Sequence, residues 1–194
     1  IKTVNTSDAD IVASFSAADT KALVTWNPQL SEVKAMKGAT EVFDSSKIPG
    51  EILDTMVVST EALQNNPNLG KALTGIWYET MAIMSAKTPE GEAARKMMGE
   101  LSGTDLAGYE AQLKTTYMYY TPAEALAFVR SPEMAAGLER VRQFSFANGL
   151  FGQGAKSVDD IGITTPGGKT LGSTSNVKLR FDDSFMADAA AGAL

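Results

Sequence analysis

The sequence contains neither histidine nor cysteine among its 194 residues. Without these residue types the chain cannot build a Ser-His-Asp or Cys-His catalytic arrangement, a disulfide, or a metal site with histidine or cysteine ligands. Carboxylate chemistry is the main catalytic class that remains. The composition therefore favours binding over catalysis, and we expect no catalytic residue, no cofactor and no metal site.

Positive charge and long apolar runs are also scarce. The 17 basic and 23 acidic residues give a net charge of -6, which repels polyanions, so we do not expect nucleic acid as a partner. The densest basic group, Arg140 and Arg142, is interpreted as part of a solvated helix face. No apolar run reaches about 18 residues, which predicts no membrane span. At this length the chain is able to bury a hydrophobic core.

The first residues predict a strand, a helix and a second strand. Ile1–Asn5 and Ala22–Trp26 have strand patterns, and a helix is predicted from about Asp8 between them. Two short strands joined by a helix are typical of a parallel βαβ unit. Ligands bind beyond the carboxyl ends of strands in such sheets, which is where the pattern places Trp26 and Asn27.

A loop rich in turn-forming residues follows, with two further strand candidates at Glu41–Phe43 and Thr55–Ser59. Helical patterns then dominate up to Gly149, where a glycine-type helix stop is predicted. Proline follows a capping residue at four predicted helix starts: Asn66-Pro67, Thr88-Pro89, Thr121-Pro122 and Ser131-Pro132. A further helix is predicted from about Thr104.

The last part of the sequence is rich in glycine. Pro166–Lys169 is interpreted as a turn, Val177–Phe181 as a late edge strand or an extended strap, and Asp183 to about Ala191 as a last helix. The methionines are expected to fill gaps between helices, and Trp77 is expected in the core. These patterns predict an α/β protein with too few strands for a complete sheet.

Three stretches resemble one protein family. Ala22–Pro28, a small-residue strand ending in Trp-x-Pro, resembles the second lobe of ABC-transporter periplasmic solute-binding proteins of the nitrate, sulfonate and taurine type, whose superfamily includes thiamine-precursor-binding proteins. Asp54–Leu63 followed by Asn66–Leu69 is similar to that group's returning strand, short helix and Asn-Pro helix start. Asn176–Met186 resembles a subgroup associated with urea or guanidine carboxylase genes.

The resemblance implies an incomplete fold like that of type II periplasmic binding proteins. Residues 1–36 would be the end of lobe two, 37–54 the crossover between lobes, and 55–194 the C-terminal part of lobe one with a helical extension. The first strands and helices of lobe one have no counterpart here. We therefore expect the gene to encode a signal peptide and most of lobe one before Ile1.

Three residues are candidates for ligand contact: Trp26, Asn27 and Asp54. The indole of Trp26 would stack on or enclose a small solute, or else pack as core. Asn27 would orient a polar ligand group or, as we favour, form a turn before Pro28. Asp54 would pair with a cationic or amide-bearing ligand, or else accept hydrogen bonds from the backbone.

The expected function is capture of a small polar solute outside the cytoplasmic membrane and its delivery to an ABC permease by hinge closure. The resembling group takes sulfonates, nitrate-like anions, urea or guanidine-type compounds and pyrimidine precursors. The location would be periplasmic, or extracellular with a membrane anchor. Two alternatives remain open: an enzyme resembling the pyrimidine synthases of thiamine biosynthesis, and a helical interaction module without a small ligand.

Overall fold

The chain forms a mixed α/β structure, about half helix with one small three-stranded sheet. The computed structural model describes residues 2–194. No helix in that range is long and apolar enough to cross a membrane. The chain divides into two compact units: the first contains residues up to Asp44 together with Ala86–Met118, and the second contains Ser45–Ser85 and Tyr119–Leu194.

The described residues form nine α-helices, three strands and two short 3₁₀ turns. In chain order the helices are α1 (Asp8–Phe15), α2 (Gln29–Lys34), α3 (Thr60–Asn65), α4 (Leu69–Ser85), α5 (Pro89–Leu101), α6 (Leu106–Thr115), α7 (Pro122–Val129), α8 (Pro132–Ala147) and α9 (Ser184–Ala190). The strands are β1 (Gly162–Thr164), β2 (Thr170–Gly172) and β3 (Val177–Arg180), and the 3₁₀ turns are Ser45–Lys47 and Val158–Asp160.

Side-chain caps begin most of the helices that the sequence predicted. The hydroxyls of Thr88 and Ser131 accept backbone N–H groups at the starts of α5 and α8, each followed by proline. At α7, Thr121 and Glu124 form a reciprocal capping box. The structure confirms these helix starts. They were predictable from the sequence because the groups that form a cap lie within four residues of one another.

The predicted stop after α8 is also confirmed. Gly149 has a φ of 74°, in the left-handed region that suits glycine. Leu150 N–H donates to the Ser145 carbonyl at 2.8 Å, and Gly149 N–H donates to the Phe146 carbonyl at 3.0 Å. This pair of bonds is the Schellman motif, which satisfies the last carbonyls of the helix.

The sheet lies in the second unit with the strand order β2-β1-β3. β1 pairs antiparallel with β2 through the predicted turn Pro166–Lys169, and it pairs parallel with β3, which confirms the predicted strand at Val177. The sequence did not predict β1 and β2, since each has three residues and neither alternates clearly. Gly162 lies opposite Gly172, and a Cβ at Gly162 would stand 1.9 Å from the Ser173 carbonyl oxygen.

The strands predicted in the first third of the chain do not form. Ala22–Trp26, Glu41–Phe43 and Thr55–Ser59 are not paired with any strand in residues 2–194. The same holds for Lys2–Asn5, whereas Ile1 lies outside the described residues. The predicted βαβ unit is therefore wrong for this structure. An apolar pattern favours extended backbone locally, but a strand also needs a hydrogen-bonded neighbour, which that pattern does not supply.

Few hydrophobic side chains are buried in the described part of the chain. They are Ile11 and Val33 in the first unit, and Met81, Met84, Ala125 and Met134 in the second. Three of the nine methionines thus fill the core of the second unit, as expected. Trp77 does not, because its side chain is 45% exposed, and its assignment to the core is wrong. Gly70 packs beneath the ring of Phe185, which joins α4 to α9.

Arg142 is buried, contrary to its assignment to a solvated face. Only 6% of it is exposed, whereas the side chain of Arg140 is 60% exposed and forms an ion pair with Glu51. The guanidinium of Arg142 donates to both Glu139 carboxylate oxygens at 2.9 Å, and through Nη1 to Asp159 at 2.8 Å. Nη1 also donates to the carbonyl of Val158. Arg142 thereby ties α8 to the 3₁₀ turn that precedes β1.

We expect Arg142→Leu to lower the stability of the second unit by about 2–3 kcal/mol, since it removes several hydrogen bonds between charged groups. The cost stays below that of a fully buried ion pair because Asp159 reaches solvent. Arg140→Leu is the matched control and should cost less than about 1 kcal/mol. Urea unfolding followed by Trp77 fluorescence in a Trp26→Phe background measures both. Equal losses would contradict the role of Arg142.

The Arg142 network also predicts sensitivity to acid. Hydrogen bonds from Arg142 lower the pKa of Glu139 below its ordinary value of 4.5. A carboxylate with a lowered pKa in the folded state stabilises the fold fully above its unfolded pKa, and this contribution is lost as the pH falls through the lower, folded value. Stability of the second unit should therefore drop below about pH 4.5.

Denaturant unfolding of the second unit at a series of pH values measures this dependence. Glu139→Gln should flatten the curve at low pH and lower stability at neutral pH, because the amide cannot pair with Arg142 as a carboxylate does. If the stability of the variant instead changes with pH in parallel with that of the natural chain, Glu139 is not the source of the sensitivity to acid.

Candidate functional site

Trp26 lies in the first unit, immediately before the turn that starts α2. Its carbonyl accepts the N–H of Leu30 at 2.8 Å, and the next peptide bond, Asn27-Pro28, is cis. The residue is 62% exposed, so it does not pack as core in the described structure. Its indole is accessible to a flat or apolar solute, as the ligand-contact interpretation requires.

Asn27 acts within this turn. Its Oδ1 accepts a hydrogen bond from the hydroxyl of Ser31 at 2.8 Å, across the start of α2. This is the local role that the turn interpretation predicted. The amide group of Asn27 carries a further donor, because only its oxygen is engaged in this bond.

Two polar atoms beside Trp26 have no hydrogen-bond partner in residues 2–194. They are Oγ1 of Thr25 and Oε1 of Gln29, and both are shielded from solvent although their residues are half-buried. Leaving a shielded polar atom without a partner costs about 1–3 kcal/mol. Such atoms are rare in folded proteins, and each one calls for a physical explanation.

Sequence reasoning placed Thr25 at the strand end but did not identify Gln29. The available signal was its position one residue after the Asn-Pro pair, at the first turn of a helix. Nothing in the residue types indicates that its oxygen lacks a partner, because that property depends on three-dimensional packing. No charged residue occurs from Ala22 to Leu30, so the turn offers hydrogen bonds and an aromatic face without a fixed charge.

Asp54 belongs to the second unit and not to the unit that contains Trp26. It is exposed, and its carboxylate forms no hydrogen bond or ion pair within the described range. The interpretation of Asp54 as a carboxylate bonded to backbone is therefore wrong for this structure. The structure brings Trp26, Asn27, Thr25 and Gln29 together in one turn, and it leaves Asp54 free for an external partner.

Two open surface depressions lie elsewhere. One of about 560 Å³ is in the first unit at the start of α5, lined by charged residues that include Lys87, Glu92 and Lys96. The other, of about 340 Å³, is in the second unit between Gly50, Phe128 and Arg140. Neither includes a predicted site residue. Both are lined largely by exposed side chains, so we place the candidate site at the Trp26 turn instead.

Comparison of the chain with models of protein families, with curated proteins and with solved structures found no match. The resemblance to solute-binding proteins accordingly depends on the quoted sequence motifs and stays a prediction.

The hydrogen bonds of the Trp26 turn predict opposite effects of two substitutions on the stability of the first unit. Thr25→Val removes a shielded hydroxyl that has no partner, so the first unit should gain about 1 kcal/mol. Asn27→Ala removes the acceptor for Ser31 and should instead lose about 0.5–1 kcal/mol. Urea unfolding followed by Trp26 fluorescence in a Trp77→Phe background measures both. A loss of stability in Thr25→Val would mean that the hydroxyl has a structural partner.

Proposed function

We propose that this chain is the C-terminal part of an extracytoplasmic solute-binding protein of an ABC importer, with a fold like that of type II periplasmic binding proteins. The observation that carries the proposal is the Trp26 turn. There the indole of Trp26 is 62% exposed, inside the motif Ala22–Pro28 on which the resemblance depends.

The solute would bind by stacking and hydrogen bonding. The indole of Trp26 would supply a flat apolar face, and the amide N–H group of Asn27 would supply a hydrogen-bond donor. Asp54, which is exposed and has no partner within the described residues, is a separate candidate contact that would carry a negative charge. Contacts from both lobes would stabilise a closed state that the permease recognises, so the protein would change shape without altering the solute.

The alternative of a helical interaction module is supported by a different observation. Ile76, Trp77 and Ile83 are exposed on α4, and an exposed apolar helix face is typical of a surface that another protein covers. A solute assay separates the two functions, because an interaction module has no affinity for a small polar molecule.

We expect the full-length gene product to bind one member of a defined panel: taurine, nitrate, urea, guanidinium and a thiamine-type pyrimidine. Isothermal titration calorimetry would detect binding, and the indole fluorescence of Trp26 should change on addition of that solute. Trp26→Ala should abolish the fluorescence change and weaken binding about tenfold or more, equivalent to about 1.4 kcal/mol. Trp77→Ala is the matched control and should leave affinity unchanged.

Asp54→Asn tests the charge of the solute. A cationic solute should bind about 1.5–3 kcal/mol more weakly to this variant, which is the range for a hydrogen bond to a charged group. An anionic solute should bind equally well or more tightly, because a repelling carboxylate is removed. Failure of the whole panel to bind, together with an unchanged Trp26 signal, would contradict the proposed function.

A further inference from the structure

The last helix, α9, contacts both α4 and α7 within the second unit. The ring of Phe185 lies over Gly70 of α4, so closely that a Cβ at Gly70 would overlap the ring. Glycine is less stable than alanine in the interior of a helix, so its presence here needs a reason. The close approach of the ring supplies that reason, and it makes Gly70 the floor of a slot that admits an aromatic side chain.

Two ion pairs flank this slot. Lys71 Nζ lies 3.2 Å from a carboxylate oxygen of Asp188, and Arg130 Nε, at the end of α7, donates to Asp183 at 2.5 Å. We call the surface formed by Gly70, Lys71 and Arg130 the α9 seat. Its two cations complement the acidic residues of α9 in a chain whose net charge is -6. The seat therefore recognises one aromatic ring and two carboxylates.

The helix α9 is held weakly in this position. Each of its seven residues is at least partly exposed. Helices shorter than about 12 residues are marginal by themselves. The side chains of Lys71 and Arg130 are 48% and 52% exposed, so salt screens both ion pairs and each adds little stability. Local opening of α9 therefore requires less free energy than unfolding of the second unit.

Opening of α9 would stop at the sheet. Phe181, the first residue after β3, donates its N–H to the Thr164 carbonyl at 2.9 Å and so fixes the backbone at the end of the strand. Asp182 and Asp183 lie between that hydrogen bond and the first residue of α9. The helix can therefore leave as a unit while the three strands stay paired.

We propose that the α9 seat is a binding site for an acidic helix with a phenylalanine anchor, and that α9 occupies it in cis as a displaceable latch. Helices that bind in grooves are recognised through anchors on one face. Phe185 and Asp188 are three residues apart and share a face of α9, and Asp183 precedes its first residue. The partner is a helix of another protein with the pattern Asp-x-Phe-x-x-Asp, whose acidic residues pair with Lys71 and Arg130.

A second copy of this chain fits the seat less well. Its α9 would have to leave its own seat to make identical contacts, which gives no net gain, and both copies carry a net charge of -6. The inference is independent of solute capture, because the Trp26 turn belongs to the first unit and the seat to the second.

Hydrogen–deuterium exchange of the natural chain and two variants tests the latch. Gly70→Ala places a methyl group where the ring lies, so the amides of residues 187–191 should exchange about tenfold faster or more. Gly75→Ala is the matched control on the same helix and should leave these amides unchanged, because a Cβ there meets open space in the described part of the chain. In the natural chain, 0.5 M salt in place of a dilute buffer should speed their exchange by about two- to tenfold.

Amides inside α8 should stay protected under all these conditions, because α9 opens without unfolding the unit. Unchanged exchange of residues 187–191 in Gly70→Ala would overturn the latch. So would a parallel loss of protection in α8, since α9 would then be an inseparable part of the fold. Exchange that does not respond to salt would contradict the assigned role of the ion pairs.

A labelled peptide of residues 182–191 tests the seat itself. Fluorescence anisotropy should show binding to the Phe185→Ala chain about tenfold tighter or more than to the natural chain, whose own α9 competes at high effective concentration. The double variant Gly70→Ala/Phe185→Ala should not bind the peptide, because the slot is filled. A peptide that carries Phe185→Ala is the matched control and should not bind either chain.

A charge exchange tests the ion pairs of the seat. Lys71→Glu in the Phe185→Ala chain should weaken binding of the natural peptide, and a peptide that carries Asp188→Lys should restore it. Equal affinity of the single and double variants for the natural peptide, or binding to neither, would overturn the site. A dimer mass of the natural chain by light scattering, with Gly70→Ala monomeric, would assign the seat to a second copy and overturn the choice of a partner protein.

Discussion

In the second unit, the connection between helix α8 and the sheet depends on one buried cation, Arg142. Arg142 joins α8 to the Val158–Asp160 turn, and that turn leads directly into β1, the central strand of the sheet. Asp160 continues the connection, because its carboxylate accepts the N–H groups of Lys156 and Ser157, and its carbonyl accepts the side-chain amide of Asn176 before β3. These backbone hydrogen bonds lower the pKa of Asp160 below its ordinary value. The small sheet is thus positioned by hydrogen bonds more than by apolar packing.

The position of Arg142 also explains why the sequence predicts some features of the fold and misses others. Helix caps such as Thr121–Glu124 and the stop at Gly149 are local, so the residue types suffice to predict them. Arg142 has one local partner, Glu139, which is equally compatible with an exposed helix face. Its burial depends on a turn sixteen residues away, and no local pattern specifies that contact.

The same distinction between local and distant interactions applies to the strands and to the site. The pattern of Ala22–Trp26 predicts a strand, but a strand needs a hydrogen-bonded neighbour, which these residues lack in the part of the chain that the structure describes. Trp26 and Asn27 were chosen from a predicted strand end, which does not form, and from the Asn-Pro turn, which does. The missing partners of Thr25 and Gln29 were not predictable, because they follow from which atoms the fold shields.

The exposed indole of Trp26 is attached to backbone that its own turn holds in place. The carbonyl of Trp26 accepts the N–H of Leu30, and Oδ1 of Asn27 accepts the hydroxyl of Ser31, so both residues are bonded across the start of α2. A contact residue whose backbone is already fixed loses less entropy when a solute binds, and pre-organisation of this kind raises affinity. The turn would therefore assist binding through its own hydrogen bonds, even where its polar groups do not touch the solute.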